Sequence, residues 1–185
     1  MSARHPGRRV EAWFQDEARF GQQGTVCRVW GLRGSDVRAV RQTEYHWTYL
    51  FGAVCPERGE VCGWRMPEAD TEMMNLFLAE LARQAAPAVQ VLLVLDRAGW
   101  HRSRRLRVPE NITLAYLPPY SPELNPMELV WRESRQKKLG NRVFADEADL
   151  EQAVDEAWVE LTDDPQAIRS LCNFPWIASA VNNSN

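Results

Sequence analysis

The stretch Val89-Gln-Val-Leu-Leu-Val-Leu95 constrains this chain more than any other. It is almost continuously aliphatic, follows a segment with helical spacing, and stops at Asp96. Strands read this way when helices cover both faces of the sheet that contains them. The segment before it, Thr71 to Ala86, places Met74, Phe77, Leu78 and Leu81 on one helical stripe, with Thr71 as the expected cap. Ile112 to Tyr116 is a second short strand after the aliphatic run. Strand, helix and strand in that order predict a crossover unit of an α/β sheet.

The residues before the crossover alternate like antiparallel strands. Val10 to Asp16 reads as a strand ending in acids, followed by a loop over Gly21 to Gly24. Val26 to Trp30, a turn over Gly31 to Ser35, and Val37 to Arg41 read as a hairpin. Trp47 to Cys55 is a strongly apolar strand, turned by Pro56 to Gly59 into Glu60 to Arg65. The segment Leu117-Pro-Pro-Tyr-Ser-Pro-Glu-Leu-Asn-Pro126 can be neither strand nor helix interior, because its prolines lack the N–H that both require. A helix is expected from Pro126 to about Leu139, with Asn125 as cap. An acidic helix over Asp146 to Leu161 and a short one near Pro165 to Leu171 follow. The expected fold class is α/β, a mixed five-stranded sheet with helices on both faces.

A chain of 185 residues suits one domain plus at most an appendage. The division expected is a catalytic domain over 1–145 and an acidic helical extension over 146–185, packed on the same domain. Charge divides at that point as well. Residues 1–145 carry 21 Lys+Arg against 16 Asp+Glu, whereas residues 146–185 carry one Arg against nine acids. The basic excess is nearly all arginine, with Lys137 and Lys138 the sole lysines. Arginine grips phosphate bidentately, which suits a DNA surface, although a GC-rich genome produces the same bias. Four cysteines without CxxC spacing and three histidines argue against a zinc site; Cys27, Cys55 and Cys62 read as reduced, buried thiols. No apolar run is long enough to span a bilayer, and no signal-peptide core follows Arg4, Arg8 and Arg9, so no membrane association and a cytoplasmic location are expected.

Three carboxylates stand where α/β sheets build sites: Asp16 and Asp96 at strand ends, Glu128 in the first turn of the helix after the proline loop. Converging carboxylates repel unless cations neutralise them, and oxygen-only ligands favour Mg²⁺ or Mn²⁺. Two such ions about 4 Å apart activate a water or 3′-hydroxyl and stabilise the leaving oxygen of a phosphodiester. Each acid also has a structural use. Asp16 can pair with Arg19, Asp96 can cap the turn after it, and Glu128 can close a capping box with Asn125 or pair with Arg132. Around them lie basic residues: Arg102, Arg104, Arg105 and Arg107 past Asp96, and Arg132, Arg135, Lys137 and Lys138 along the helix. Arg132 and Arg135 share the Glu128 stripe on an α-helical period. Trp13, Trp30, Trp47, Trp64, Trp131 and Trp158 read as packing residues, and Trp100 as a residue that can stack on a base.

The motifs Trp13-Phe-Gln-Asp-Glu-Ala-Arg-Phe-Gly21, Arg28-Val-Trp-Gly-Leu-Arg-Gly34, Leu95-Asp-Arg-Ala-Gly-Trp-His-Arg-Ser103 and Leu117 to Trp131 together resemble the catalytic domain of the mariner-like superfamily of bacterial insertion-sequence DDE transposases. The resemblance spans roughly residues 8–145. It implies a ribonuclease H-like fold and metal-dependent cleavage and strand transfer of DNA. It implies Asp16, Asp96 and Glu128 as the catalytic, metal-holding acids for two Mg²⁺ or Mn²⁺ ions. Arg97, His101, Arg102, Arg132, Arg135, Lys137 and Lys138 are the expected DNA-binding residues, and Arg97 stands where many relatives carry Asn. Double-stranded DNA, at transposon ends and target, is the expected partner, with a homodimer in the DNA complex. Full-length relatives add an N-terminal helix-turn-helix region, so a helix-turn-helix partner polypeptide or a missing N-terminal domain is also expected. Two alternatives stay open at this point: an inactive or truncated fragment that regulates by binding DNA or a transposase, and a ribonuclease H-type hydrolase of hybrids.

Overall fold

The computed structural model describes residues 7–22, 27, 30–36, 42, 44–172 and 174–177. The two expected hairpin strands around Gly31 to Ser35 lie mostly outside these residues. The turn between them is present, with the Ser35 amide donating to the Leu32 carbonyl at 2.9 Å.

Five strands form one sheet: β1 (Arg9–Gly21), β2 (Trp47–Cys55), β3 (Glu60–Met66), β4 (Val89–Leu95) and β5 (Ile112–Tyr116). Their spatial order is β3-β2-β1-β4-β5. The first three pair antiparallel; β1–β4 and β4–β5 pair parallel, giving the mixed sheet expected. Side chains alternate between the two faces. One face carries Trp13, Phe51, Leu93 and Leu95 against Met74, Phe77 and Leu81 of α1 (Thr71–Gln84). The other carries Phe14, Leu50 and Val54 against α2 (Met127–Glu133), α3 (Glu147–Thr162) and α4 (Pro165–Cys172). Residues after 146 therefore share a core with β1 and α2. Among the described residues no helix is long and apolar enough to cross a membrane.

Several expectations need correction. The cap of α1 is Asp70, whose carboxylate accepts the Met73 amide at 2.9 Å. Thr71 is already helical, and the extended backbone of Asp70 is the geometry a capping side chain needs. The helix after the proline loop does reach Leu139, but Ser134–Leu139 winds as a π-helix. Its wider turn breaks the 3.6-residue period, and Arg135 leaves the expected stripe to lie over the Phe20 ring, 5.4 Å from its centroid. Trp30 is not a packing residue, since it is 103% exposed.

β1 is longer than expected, and this shapes the site. It continues past Asp16 to Gly21 because β2 pairs with it as far as Gly21 opposite Trp47. On its other side, pairing to β4 ends at Phe14 opposite Val94. Asp16 thus sits mid-strand, at the point where β1 outruns β4.

Glycine at position 52 lets the helical layer close at this level. Gly52 lies directly opposite Asp16, and a Cβ there would stand 2.6 Å from both Met127 Cε and Trp131 Cη2. Gly52→Ala is therefore expected to cost about 1–3 kcal/mol by overpacking. Urea unfolding monitored by tryptophan fluorescence measures it, and an unchanged midpoint would mean that α2 does not bear on β2 this closely.

Candidate active site

Asp16 is half-buried on the face covered by α2. Its Oδ2 accepts the Trp131 indole N–H at 2.9 Å. Glu128 lies on the same helix, one turn before Trp131, and is exposed. Burial, then the charges of Glu17 and Glu128, push the Asp16 carboxyl up to about 7. The charge of Glu128 is thus among those that act on Asp16. The structural alternatives for these acids are not what forms. Arg19 stacks on Trp47, 5.5 Å from its ring centroid, rather than pairing with Asp16. The Asn125 amide that a capping box would offer to Glu128 donates instead to Pro122 at 2.8 Å. Among the described residues Glu128 has no ion pair with Arg132.

Asn125 places this helix. It is buried, its Nδ2 donates to the Gln15 carbonyl at 2.9 Å, and its Oδ1 accepts the Met127 amide at 3.1 Å. One side chain thus straps the proline loop to β1 beside Asp16 and caps α2. The sequence suggested the cap; the strap depends on tertiary placement.

Asp96 follows the last residue of β4. Asp96 lies two residues past Val94, the last β4 residue paired with β1, as Asp16 lies two residues past Phe14. Its Oδ1 accepts the Ala98 amide at 2.8 Å, so the turn-capping use is real. The same oxygen meets His101 Nδ1 at 2.7 Å, and this hydrogen bond holds the Asp96 carboxyl below the ordinary range. His101 Nε2 meets Glu17 Oε1 at 2.9 Å. Burial pushes the imidazole down, but hydrogen bonds to Asp96 and Glu17 outweigh it and leave it at about 9. His101 is 1% exposed and both of its ring nitrogens are engaged, so it is not available to phosphate. Its expected DNA contact gives way to a role inside the site. Trp100 is likewise tied, donating its indole N–H to Glu17 at 3.1 Å.

The other expected DNA-binding residues lie mostly at the surface. Arg102 and Arg132 are exposed. Arg97 is exposed and anchors its Nε on the Leu117 carbonyl at 3.0 Å. Lys137 is exposed and pairs with Glu133 at 2.5 Å, while Lys138 pairs with Glu160. The acidic helix α3 spends part of its charge internally, with Glu151 and Asp155 on Arg65.

The acids fit a hard divalent ion in kind, since all three offer carboxylate oxygens. The raised proton affinity of Asp16 comes first from burial and then from the charges of Glu17 and Glu128. Among the described residues, however, no three His, Cys, Asp or Glu side chains converge on one cation position. Asp16 and Glu128 lie on the α2 side, while Asp96 is drawn toward His101.

A family model described as "DDE superfamily endonuclease" matches residues 11–151. "Uncharacterized protein y4pE/y4sA" of Sinorhizobium fredii (strain NBRC 101917 / NGR234) is 46% identical over 130 residues, covering 70% of this chain and 96% of that protein. "Insertion element IS630 uncharacterized 39 kDa protein" of Shigella sonnei is 28% identical over 138 residues, covering 71% of this chain and 38% of that protein. Among solved structures, the Mos1 transposase paired-end complex with left transposon end superposes with a TM-score of 0.65 at 17% identity, over 88% of this chain and 51% of that one. The mariner Mos1 paired end complex with Mg gives 0.64 at 17% identity, over 88% and 52%. The chain thus spans about half of each Mos1 chain. These likenesses identify the fold as ribonuclease H-like. By the family model, which covers most of its length, and by its Sinorhizobium relative, the chain belongs to the DDE superfamily endonucleases.

Proposed function

We propose that this chain is the catalytic domain of an insertion-sequence transposase, cutting DNA strands and joining them to a target with divalent metal. What supports the proposal is that α2, which carries Glu128, packs on β1 at Asp16 through Trp131, while Asp96 follows β4, the other neighbour of β1. The likeness to Mos1 transposase complexes with transposon ends supports DNA as the substrate.

Asp16, Asp96 and Glu128 would hold Mg²⁺ or Mn²⁺, two ions in the full site, which supply an activated water or 3′-hydroxyl and stabilise the leaving oxygen. The protein's part is positional. Trp131 fixes the Asp16 carboxylate, and the Asn125 strap fixes the height of Glu128. Arg97 and Arg102, near Asp96 in sequence, and Arg132, one turn after Glu128, are exposed; guanidinium groups of this kind bind backbone phosphate without reading bases. Substrate phosphate would supply further oxygen ligands to ions held by these acids. Recognition of transposon ends belongs to a helix-turn-helix region or partner polypeptide, and pairing of two ends to a homodimer formed on DNA.

The test is cleavage of duplex DNA carrying the matched transposon end, with Mn²⁺ or with EDTA, alongside an RNA–DNA hybrid. Metal-dependent cutting confined to the duplex is expected. Preferred cutting of the hybrid would make the chain a ribonuclease H-type hydrolase. Retained DNA binding without cutting, with an end-binding polypeptide present, would make it a regulator.

A further inference from the structure

Glu17 lies next to Asp16 in β1, and strand alternation turns it to the opposite face. Its side chain is 7% exposed. A single oxygen, Oε1, meets three nitrogens: Gln15 Nε2 at 3.0 Å, Trp100 Nε1 at 3.1 Å and His101 Nε2 at 2.9 Å. The His101 ring is locked from its own backbone as well. Its amide donates to Ala98 at 3.0 Å, and its carbonyl accepts the Tyr116 hydroxyl at 2.8 Å. The ring's other nitrogen then meets Asp96, whose side chain is 57% exposed.

This chain of contacts runs from a buried carboxylate to a solvent-facing one. A contact serving packing alone would end in the interior. Along Glu17, His101 and Asp96 the exposed end is an acid of the proposed site, on a turn where an unheld aspartate samples several rotamers. Carboxylate–histidine pairs orient metal-binding groups in this way, by fixing the ring that fixes the ligand. We infer that Glu17 and His101 are positioning residues that aim Asp96, and that Glu17 is not itself a metal-binding acid. This rests on the transposase reading of the Asp16, Asp96 and Glu128 site. The inference also separates two adjacent acids that look equivalent in sequence: Asp16 serves the α2 side, while Glu17 has its Oε1 saturated beneath the Gly99–Arg102 turn.

The experiment compares wild type, Glu17→Gln, His101→Gln and the double variant, each as the full chain. Cleavage of matched end DNA is measured over a range of Mn²⁺ concentrations, and each metal-free protein is crystallised to read the Asp96 rotamer. The single variants are expected to keep KM for DNA, to lose about 10–100-fold in kcat, and to need more Mn²⁺ for half-maximal rate. The double variant is expected to be no worse than His101→Gln, because Glu17 acts through the ring. In the His101→Gln crystal, Asp96 is expected in more than one rotamer.

Normal kcat and Mn²⁺ dependence in Glu17→Gln, with Asp96 unmoved, would overturn the inference. So would a Glu17→Gln protein as inactive as Asp96→Asn at every Mn²⁺ concentration, since Glu17 would then be a ligand. If Glu17→Gln does not fold, His101→Gln decides: normal Mn²⁺ dependence with Asp96 unmoved overturns the inference. If wild type cuts no DNA, the function proposal fails, while the Asp96 rotamer in the crystals still decides this one.

Discussion

Asp16→Asn is expected to make the metal-free chain more stable at pH 8 by about 2–4 kcal/mol. In the folded state Asp16 binds its proton up to about pH 7, against an unfolded value of 3.8, because burial and the charges of Glu17 and Glu128 oppose ionisation. The proton is thus held more tightly by the folded chain than by the unfolded one. Stability from this group is complete below the unfolded value and is lost as pH rises through about 7. Three pKa units at roughly 1.4 kcal/mol each set the upper end of the range, and water reaching a half-buried group sets the lower. Asparagine keeps an oxygen for the Trp131 indole and carries no charge, so the variant escapes the loss. Urea melts at pH 4, 6 and 8 measure the gap, which should widen with pH and nearly close at pH 4. A pH-independent gap would mean that the Asp16 environment is not what these contacts describe. Mn²⁺ should raise the pH 8 stability of wild type and do much less for the variant, because a bound cation neutralises the same repulsion.

Asp96→Asn and Glu128→Gln are each expected to lower metal-dependent cleavage by about 10³-fold or more. Several kcal/mol of transition-state stabilisation depend on a carboxylate that holds a metal, and about 4 kcal/mol corresponds to that factor. Binding of end DNA should be retained or tightened in both, since each change removes a negative charge near phosphate. The split between binding and rate is the informative result. Loss of both would point to a folding defect, and melting curves would reveal it. Intact cleavage in either variant would remove that residue from the proposed site.

Much of this was readable before any coordinates. The aliphatic run of β4 and the proline loop declare themselves because each admits few backbone conformations. The same holds for α3, whose Asp146 side chain caps it through the Asp149 amide at 2.9 Å. The three acids were picked out through motif resemblance, and α2 does pack over Asp16 through the Trp131 indole. What failed shares a cause, namely dependence on neighbours distant in sequence. β1 passes Asp16 because β2 continues to pair with it, and nothing local to Asp16 announces that. The π-helical turn moves Arg135 off its stripe, although the residues themselves have ordinary helical preferences. Glu17 beside Asp16 looks like a second candidate ligand until the turn after Asp96 folds over it. Gly52 looks like any strand glycine until Trp131 arrives above it.

The central strand of the sheet has a consequence for how the protein is made. Of the five strands β1 is synthesised first, and β2 and β3 can zip onto its antiparallel side from nearby sequence. Its other neighbour is β4, which sets Arg9 beside Val89, and that closure waits for the whole intervening chain. Asp96 arrives only with this late pairing, and Glu128 later still, with the helix that covers Asp16. A nascent chain therefore first builds a half-sheet holding Asp16 alone. A site that needs all three acids can therefore assemble only after β4 and α2 have both emerged.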